Sequence, residues 1–169
     1  IYDVSDPAAP TLRQSLGQSG AFSTSRLSGD LLYLVTQHAV TDPHAIDPAV
    51  PGTFVPSTTD DGTSTPLPAD DLVLMPRPDG PRYSVVSSID LATNERVDTL
   101  SVLGGSQTTY MSEESLYLAS VEYVGDADGD QARDETGMRS VTEQTKLARI
   151  ALDDGSLTAA AEGTVPGVL

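Results

Sequence analysis

The sequence predicts an all-β fold built from a repeated four-stranded unit, and three observations predict it. Short runs rich in Val, Leu, Thr and Tyr alternate with turn residues along the chain, as expected of strands on half-buried pleated surfaces. No segment combines a helical apolar period with capping residues; only the alanine-rich LTAAAEG would mislead a propensity count. Finally, three segments share one layout of strand, tight turn and second strand: IYDVSDPAAPTLRQSLG, SSIDLATNERVDTLSVLG and ARIALDDGSLTAAAEGTVPG.

The turns of these segments carry residues suited to tight reversal: Asp6-Pro7, Thr93-Asn94 and Asp154-Gly155. After the first two copies comes a Ser/Thr-rich strand, FSTSRLSG and then QTTYMSE. An apolar run follows, LLYLVTQ and then SLYLASVEY, sharing Leu-Tyr-Leu at 32–34 and 116–118. Stripped of insertions the repeat has about 40 residues and four strands, the size of a propeller blade. With strands lettered a to d from the inside outward, one blade spans 21–104 and a second 105–163. Residues 1–17 supply strands c and d of a preceding blade, and 165–169 lead into a following one. The chain, opening on IYDV and closing on VPGVL, thus reads as a fragment of a β-propeller: about two blades plus partial flanking blades.

Both blades carry a long insertion between strands b and c, over 38–82 in the first and 125–142 in the second. The first includes PGTFVPSTTDDGTSTPLPADD, a Pro/Thr/Asp tract expected not to pack. Equivalent loops of successive blades emerge on one face of a propeller, often the binding face.

Composition narrows the function. At 169 residues the chain can bury a core as one domain, and it holds no apolar run of membrane-spanning length. It has no cysteine, which excludes disulfides and thiolate metal sites. The net charge of -16 comes from 18 Asp and 7 Glu against 8 Arg and a single Lys. Such a field repels phosphate backbones and anionic lipid, so nucleic-acid binding is not expected. The Asp excess with one Lys matches proteins of salt-loving organisms, whose carboxylates hold water in brine while salt screens their repulsion. An ordinary acidic secreted protein is the alternative.

The segments YDVSDPAAPTLRQSLG and SRLSGDLLYLVTQ, continued by DLVLMPRPDGPRYSVVSSIDL, SLYLAS and TKLARIALDDGSLTAAAEGTVPGVL, carry a resemblance. The chain resembles the secreted or cell-envelope β-propeller domain proteins of bacteria and archaea, distantly related to WD-repeat propellers. The match covers nearly everything outside the Pro/Thr tract. Its markers, a YDVSDP turn, a GD-LYLV strand, an SIDL strand and a VPG turn, position strands and turns. The resemblance implies an extracellular or envelope-associated propeller and carries no catalytic residue over.

Candidate chemistry is sparse. In EYVGDADGDQARDETG the carboxylates Asp126, Asp128 and Asp130 alternate, Gly129 permits a turn, and Asp134 follows. Such a loop can converge on calcium, which takes six to eight oxygens. It is not a complete EF-hand loop, because Gln131 stands where glycine is expected and Gly137 where a bidentate Glu belongs. The alternative is a solvated acidic turn. His38, His44, Asp42 and Asp47 offer nitrogen and oxygen donors, but their spacing fits no common zinc motif and reads as an exposed loop. GQSGA at 17–21 is a blade connection, not a nucleophile elbow, since its second glycine arrives one residue early. Adjacent carboxylates, as at Asp60-Asp61, Asp70-Asp71, Glu113-Glu114 and Asp153-Asp154, point to opposite faces of a strand and make poor acid/base pairs. Tyr33 and Tyr117 are expected in the packing between blades, with Phe54, Tyr83 and Tyr123 as loop aromatics for recognition.

The expected function is a non-enzymatic scaffold presenting its b–c loops to a protein, glycan or cation partner. The alternatives are an enzyme whose site forms only in the complete ring, with polar residues converging near Ser23, Thr24, Thr108 and Thr109, and a calcium-stabilised structural module.

Overall fold

Alternation of apolar and polar residues places one side of each strand in a core and leaves the reversals to Gly, Asp and Asn. The computed structural model describes residues 1–75, 78, 80–104, 106, 108–125 and 141–168, and the strands there follow this pattern. After a two-stranded pair, β1 (Tyr2–Asp3) and β2 (Thr11–Leu12), comes the short β3 (Leu16–Gln18). The first blade is an antiparallel meander of β4 (Ala21–Ser28), β5 (Leu31–Ala39), β9 (Arg82–Asp90) and β10 (Glu95–Leu103). The second is β11 (Thr108–Met111), β12 (Ser115–Gly125), β13 (Val141–Asp153) and β14 (Ser156–Pro166).

The ladders run further than the sequence suggests. His38 and Ala39 pair with Tyr83 and Arg82, so the first insertion is confined to the residues between Ala39 and Arg82. Val165 and Pro166, expected to lead into a further blade, still pair with Thr145 and Gln144. The reason is local: the β12–β13 hairpin continues to Gly125↔Val141 and offers β14 an unbroken edge.

The two blades stack face to face. Tyr33, Val35, Val86, Leu100 and Val102 of the first blade meet Leu116, Leu118, Ala148, Ile150, Leu152 and Leu157 of the second. Burial of each Val, Leu or Ile side chain there contributes about 1.5–3 kcal/mol, so the seam holds the two blades together. One end of the seam is closed by the Asp154-Gly155 turn, where Ser88 Oγ donates to the Gly155 carbonyl and the Leu157 amide donates to Asp98 Oδ2 at 2.7 Å. Gly155 has φ +87, and a Cβ there would lie 2.9 Å from Val97 Cγ1. At the other end Gln37 Nε2 donates to Ser84 Oγ at 3.0 Å and to Ser106 Oγ at 3.1 Å.

The Pro/Thr/Asp tract, expected not to pack, does pack. It forms a hairpin of β6 (Ser57–Asp60) and β7 (Thr63–Pro66), and β6 pairs with β3 to make a three-stranded sheet. Asp61 and Gly62 both have positive φ, 47° and 85°, as a two-residue primed turn requires. Val55, Pro56 and Leu67 are buried, and Val55 and Leu67 pack with Tyr83 and Val85 on the face of the first blade opposite the seam. A few apolar anchors are enough because the blade supplies the rest of that core. Farther along, β8 (Leu72–Leu74) pairs parallel to β10 and adds a fifth strand to the first blade's outer edge.

Candidate functional site

Three groups of contacts bind the insertion sheet to its blade. Arg96 on β10 is largely buried, with Nη1 donating to Ser87 Oγ at 2.7 Å and Nη2 to the Gly17 carbonyl at 2.8 Å. Its Nη2 also meets Asp60 Oδ1 at 3.1 Å, so one guanidinium joins β10, β9, β3 and β6. Gln18 Nε2 donates to Thr36 Oγ1 and the Val85 carbonyl, both at 3.0 Å. Ser19 Oγ receives the Ser57 amide at 2.7 Å and returns a bond to the Ser57 carbonyl at 3.1 Å. The connection through Ser19-Gly20 is equally constrained: Gly20 has φ +99, and a Cβ there would fall 2.5 Å from the Gln37 carbonyl carbon. The segment GQSGA joins β3, which pairs in the insertion sheet and not in a preceding blade, to β4 of the first blade.

The histidine cluster does not converge. His38 lies in β5 with its ring 6.1 Å from that of Tyr83. Burial pushes the His38 imidazole below its ordinary pKa and the Tyr83 phenol above its own. Asp42 instead caps a turn by accepting the His44 amide at 2.9 Å, and Asp47 accepts the Ala49 amide at 2.9 Å. Among the described residues no group of three or more His, Asp or Glu side chains could hold a metal. Asp126, Asp128, Asp130 and Asp134 lie outside the described residues.

The aromatics sort differently from the expectation. Tyr83 is a buried strand residue, and Phe54 packs on the same cluster, so both are core. Tyr123 sits in β12 and is 65% exposed. Tyr33 is buried in the seam, whereas Tyr117 points to the far face of its blade beside Tyr110, their rings 6.2 Å apart. By register Tyr33 faces the blade that follows it, and Tyr117, one repeat later, projects from the corresponding face of its own blade, away from the first. At the inner strands Thr24 and Thr109 border a cleft of only about 10 Å³, room for about one water, while Ser23 and Thr108 are exposed.

A polar recess that the sequence did not point to lies where the seam stops being apolar. Lys146, the chain's single lysine, is buried on β13 and pairs with Glu122 Oε1 at 2.9 Å. With Gln144, Glu162, Thr164 and Met75 it lines a recess of about 250 Å³. Met75 reaches it from the first insertion, held by its amide on the Leu103 carbonyl at 3.1 Å. Glu122 and Gln144 are paired near the end of the β12–β13 hairpin, so the stems of both insertions meet here. The sequence did carry one signal: a lone lysine inside the alternating strand TEQTKLARI.

Four-stranded antiparallel meanders stacked face to face through an apolar seam define an all-β repeat protein of the propeller class. No curated protein and no solved structure matches the chain significantly. The family model described as "Beta propeller domain" matches residues 1–169, and the chain belongs to that family.

Proposed function

We propose that this chain is a non-enzymatic, exported propeller scaffold whose b–c insertions present a binding face to a protein or glycan partner. The observation that carries the reading is the folded first insertion: β3, β6 and β7 form a sheet fastened to the blade by Arg96, Gln18 and Ser19. A loop ordered in advance loses less entropy on binding than a disordered one, which suits recognition. β7 stands at the outer edge of that sheet with every residue exposed, offering Thr and Ser hydroxyls to a partner. The exported setting rests on the resemblance to envelope propellers.

The Val40 amide donates to the Pro81 carbonyl at 2.9 Å, so the hairpin beneath the insertion is already closed. Replacing residues 41–80 by Asn-Gly therefore shortens the loop while keeping the β5–β9 ladder. Both proteins are screened against a glycan array and purified envelope proteins. The expected result is saturable binding by the full chain that is lost in the shortened one, while the β5–β9 and β12–β13 ladders keep their hydrogen-exchange protection. Equal binding by both proteins would overturn the reading, as would catalytic turnover of a glycosidic, ester or peptide substrate by the full chain.

A further inference from the structure

The Ala159-Ala160-Ala161 run of β14 has a consequence for the outer rim of the seam. β13 and β14 shift register between Arg149 and Ile150: Arg149 pairs with Ala161 and Ile150 with Ala159, leaving Ala160 unpaired in a bulge. Ala159 is on the same side of the sheet as Ile150, where a larger side chain would complete the packing against Val73 and Val102. With alanine there, an apolar recess of about 180 Å³ stays open. It shares Met75 and Glu162 with the polar recess around Lys146, so the two form one cleft, apolar at one end and charged at the other. Their combined size falls in the several-hundred Å³ range of small-molecule sites.

The charges at the polar end select the ligand. Glu122 and Glu162 stand against Lys146, and Lys146 is already compensated by Glu122. Arg149 borders the apolar end, but by alternation its side chain lies on the face of β13 opposite Ala148 and Ile150, where its Nε donates to Ser115 Oγ at 3.0 Å. Among the described residues the cleft side of the sheet thus carries two carboxylates against one ammonium, inside a molecule of net charge -16, so an anion is disfavoured and a cation is favoured at Glu162. We infer that this interblade cleft binds a small amphiphilic cation, an alkyl chain ending in an ammonium group. The alkyl chain lies over Ala159, Val73 and Val102, the Met75 thioether adapts to its length, and the ammonium reaches Glu162.

The probe is hexylammonium, titrated into the chain carrying ¹³C-methyl methionine, with hexanoate and tetramethylammonium as controls for charge and chain. Saturable movement of the Met75 methyl resonance is expected with hexylammonium and not with either control. Ala159→Leu, which fills the apolar end at an exposed strand position, should weaken binding at least tenfold, and Glu162→Gln, which removes an exposed carboxylate, about two- to fivefold. Glu113→Gln, an acid distant from the cleft, should leave it unchanged. No saturable shift, equal response to hexanoate, or equal weakening by Glu113→Gln would overturn the proposal. If Ala159→Leu fails to fold, Glu162→Gln against Glu113→Gln decides alone.

Discussion

The guanidinium of Arg96 reaches Ser87, the Gly17 carbonyl and Asp60, and these partners are not equal. Asp60 is half exposed, with 54% of its side chain accessible, so its ion pair is screened and worth about 0–1 kcal/mol. The bonds to Ser87 and Gly17 are made by a charged donor away from water, where each contributes about 1.5–3 kcal/mol. Arg96→Met should therefore cost about 2–4 kcal/mol in urea unfolding, whereas Asp60→Asn should cost under about 1 kcal/mol. Equal losses would place the attachment in the ion pair instead. Nothing in TNERVD marks Arg96 for this role, because all three partners are distant in sequence or on another strand. Lys146 was more legible, as the only lysine in the chain, but its carboxylate partner follows from the β12–β13 register and not from spacing.

At the scale of elements, local signals and non-local ones diverge. The eight strands of the two blades follow from alternation and from turns such as Asp154-Gly155. The β6–β7 hairpin also had a local signal, Asp61-Gly62 between Thr-rich runs, but low hydropathy argued against a packed element. What settled it was the neighbour: Tyr83 and Val85 on β9 present an apolar surface to which Val55 and Leu67 add. Leu67→Ala should then cost about 2–4 kcal/mol and act locally. Limited proteolysis should cut first within 57–66, while the β12–β13 ladder keeps its hydrogen-exchange protection. Simultaneous loss of protection in both would show that insertion and blades unfold as one unit. The pairing of β3 with β6 and of β8 with β10 had no sequence signal, since strand partners across long separations depend on which edges the fold leaves open.

For the whole molecule, the charge of -16 acts on the folded state as self-repulsion, and three ion pairs among the described residues offset little of it. Salt should relieve that repulsion: raising NaCl from dilute buffer to about 2 M is expected to raise the Tm by roughly 5–10 °C. A flat response in a thermal melt would leave the carboxylates a solubility role only. The all-β class, the repeat and the four strands per blade are legible in the sequence, because alternation and turn chemistry are properties of neighbouring residues, whereas the first insertion, read as 38–82, begins only after Ala39 and ends before Arg82. That the first insertion folds onto its blade, Val55 and Leu67 against Tyr83 and Val85, was settled only by the tertiary structure. It alone decided that Lys146, Met75 and Glu162 share one cleft. Those outcomes depend on which faces and edges are brought into contact, and contact between distant segments is set by the packing of the blades rather than by any local run of residues.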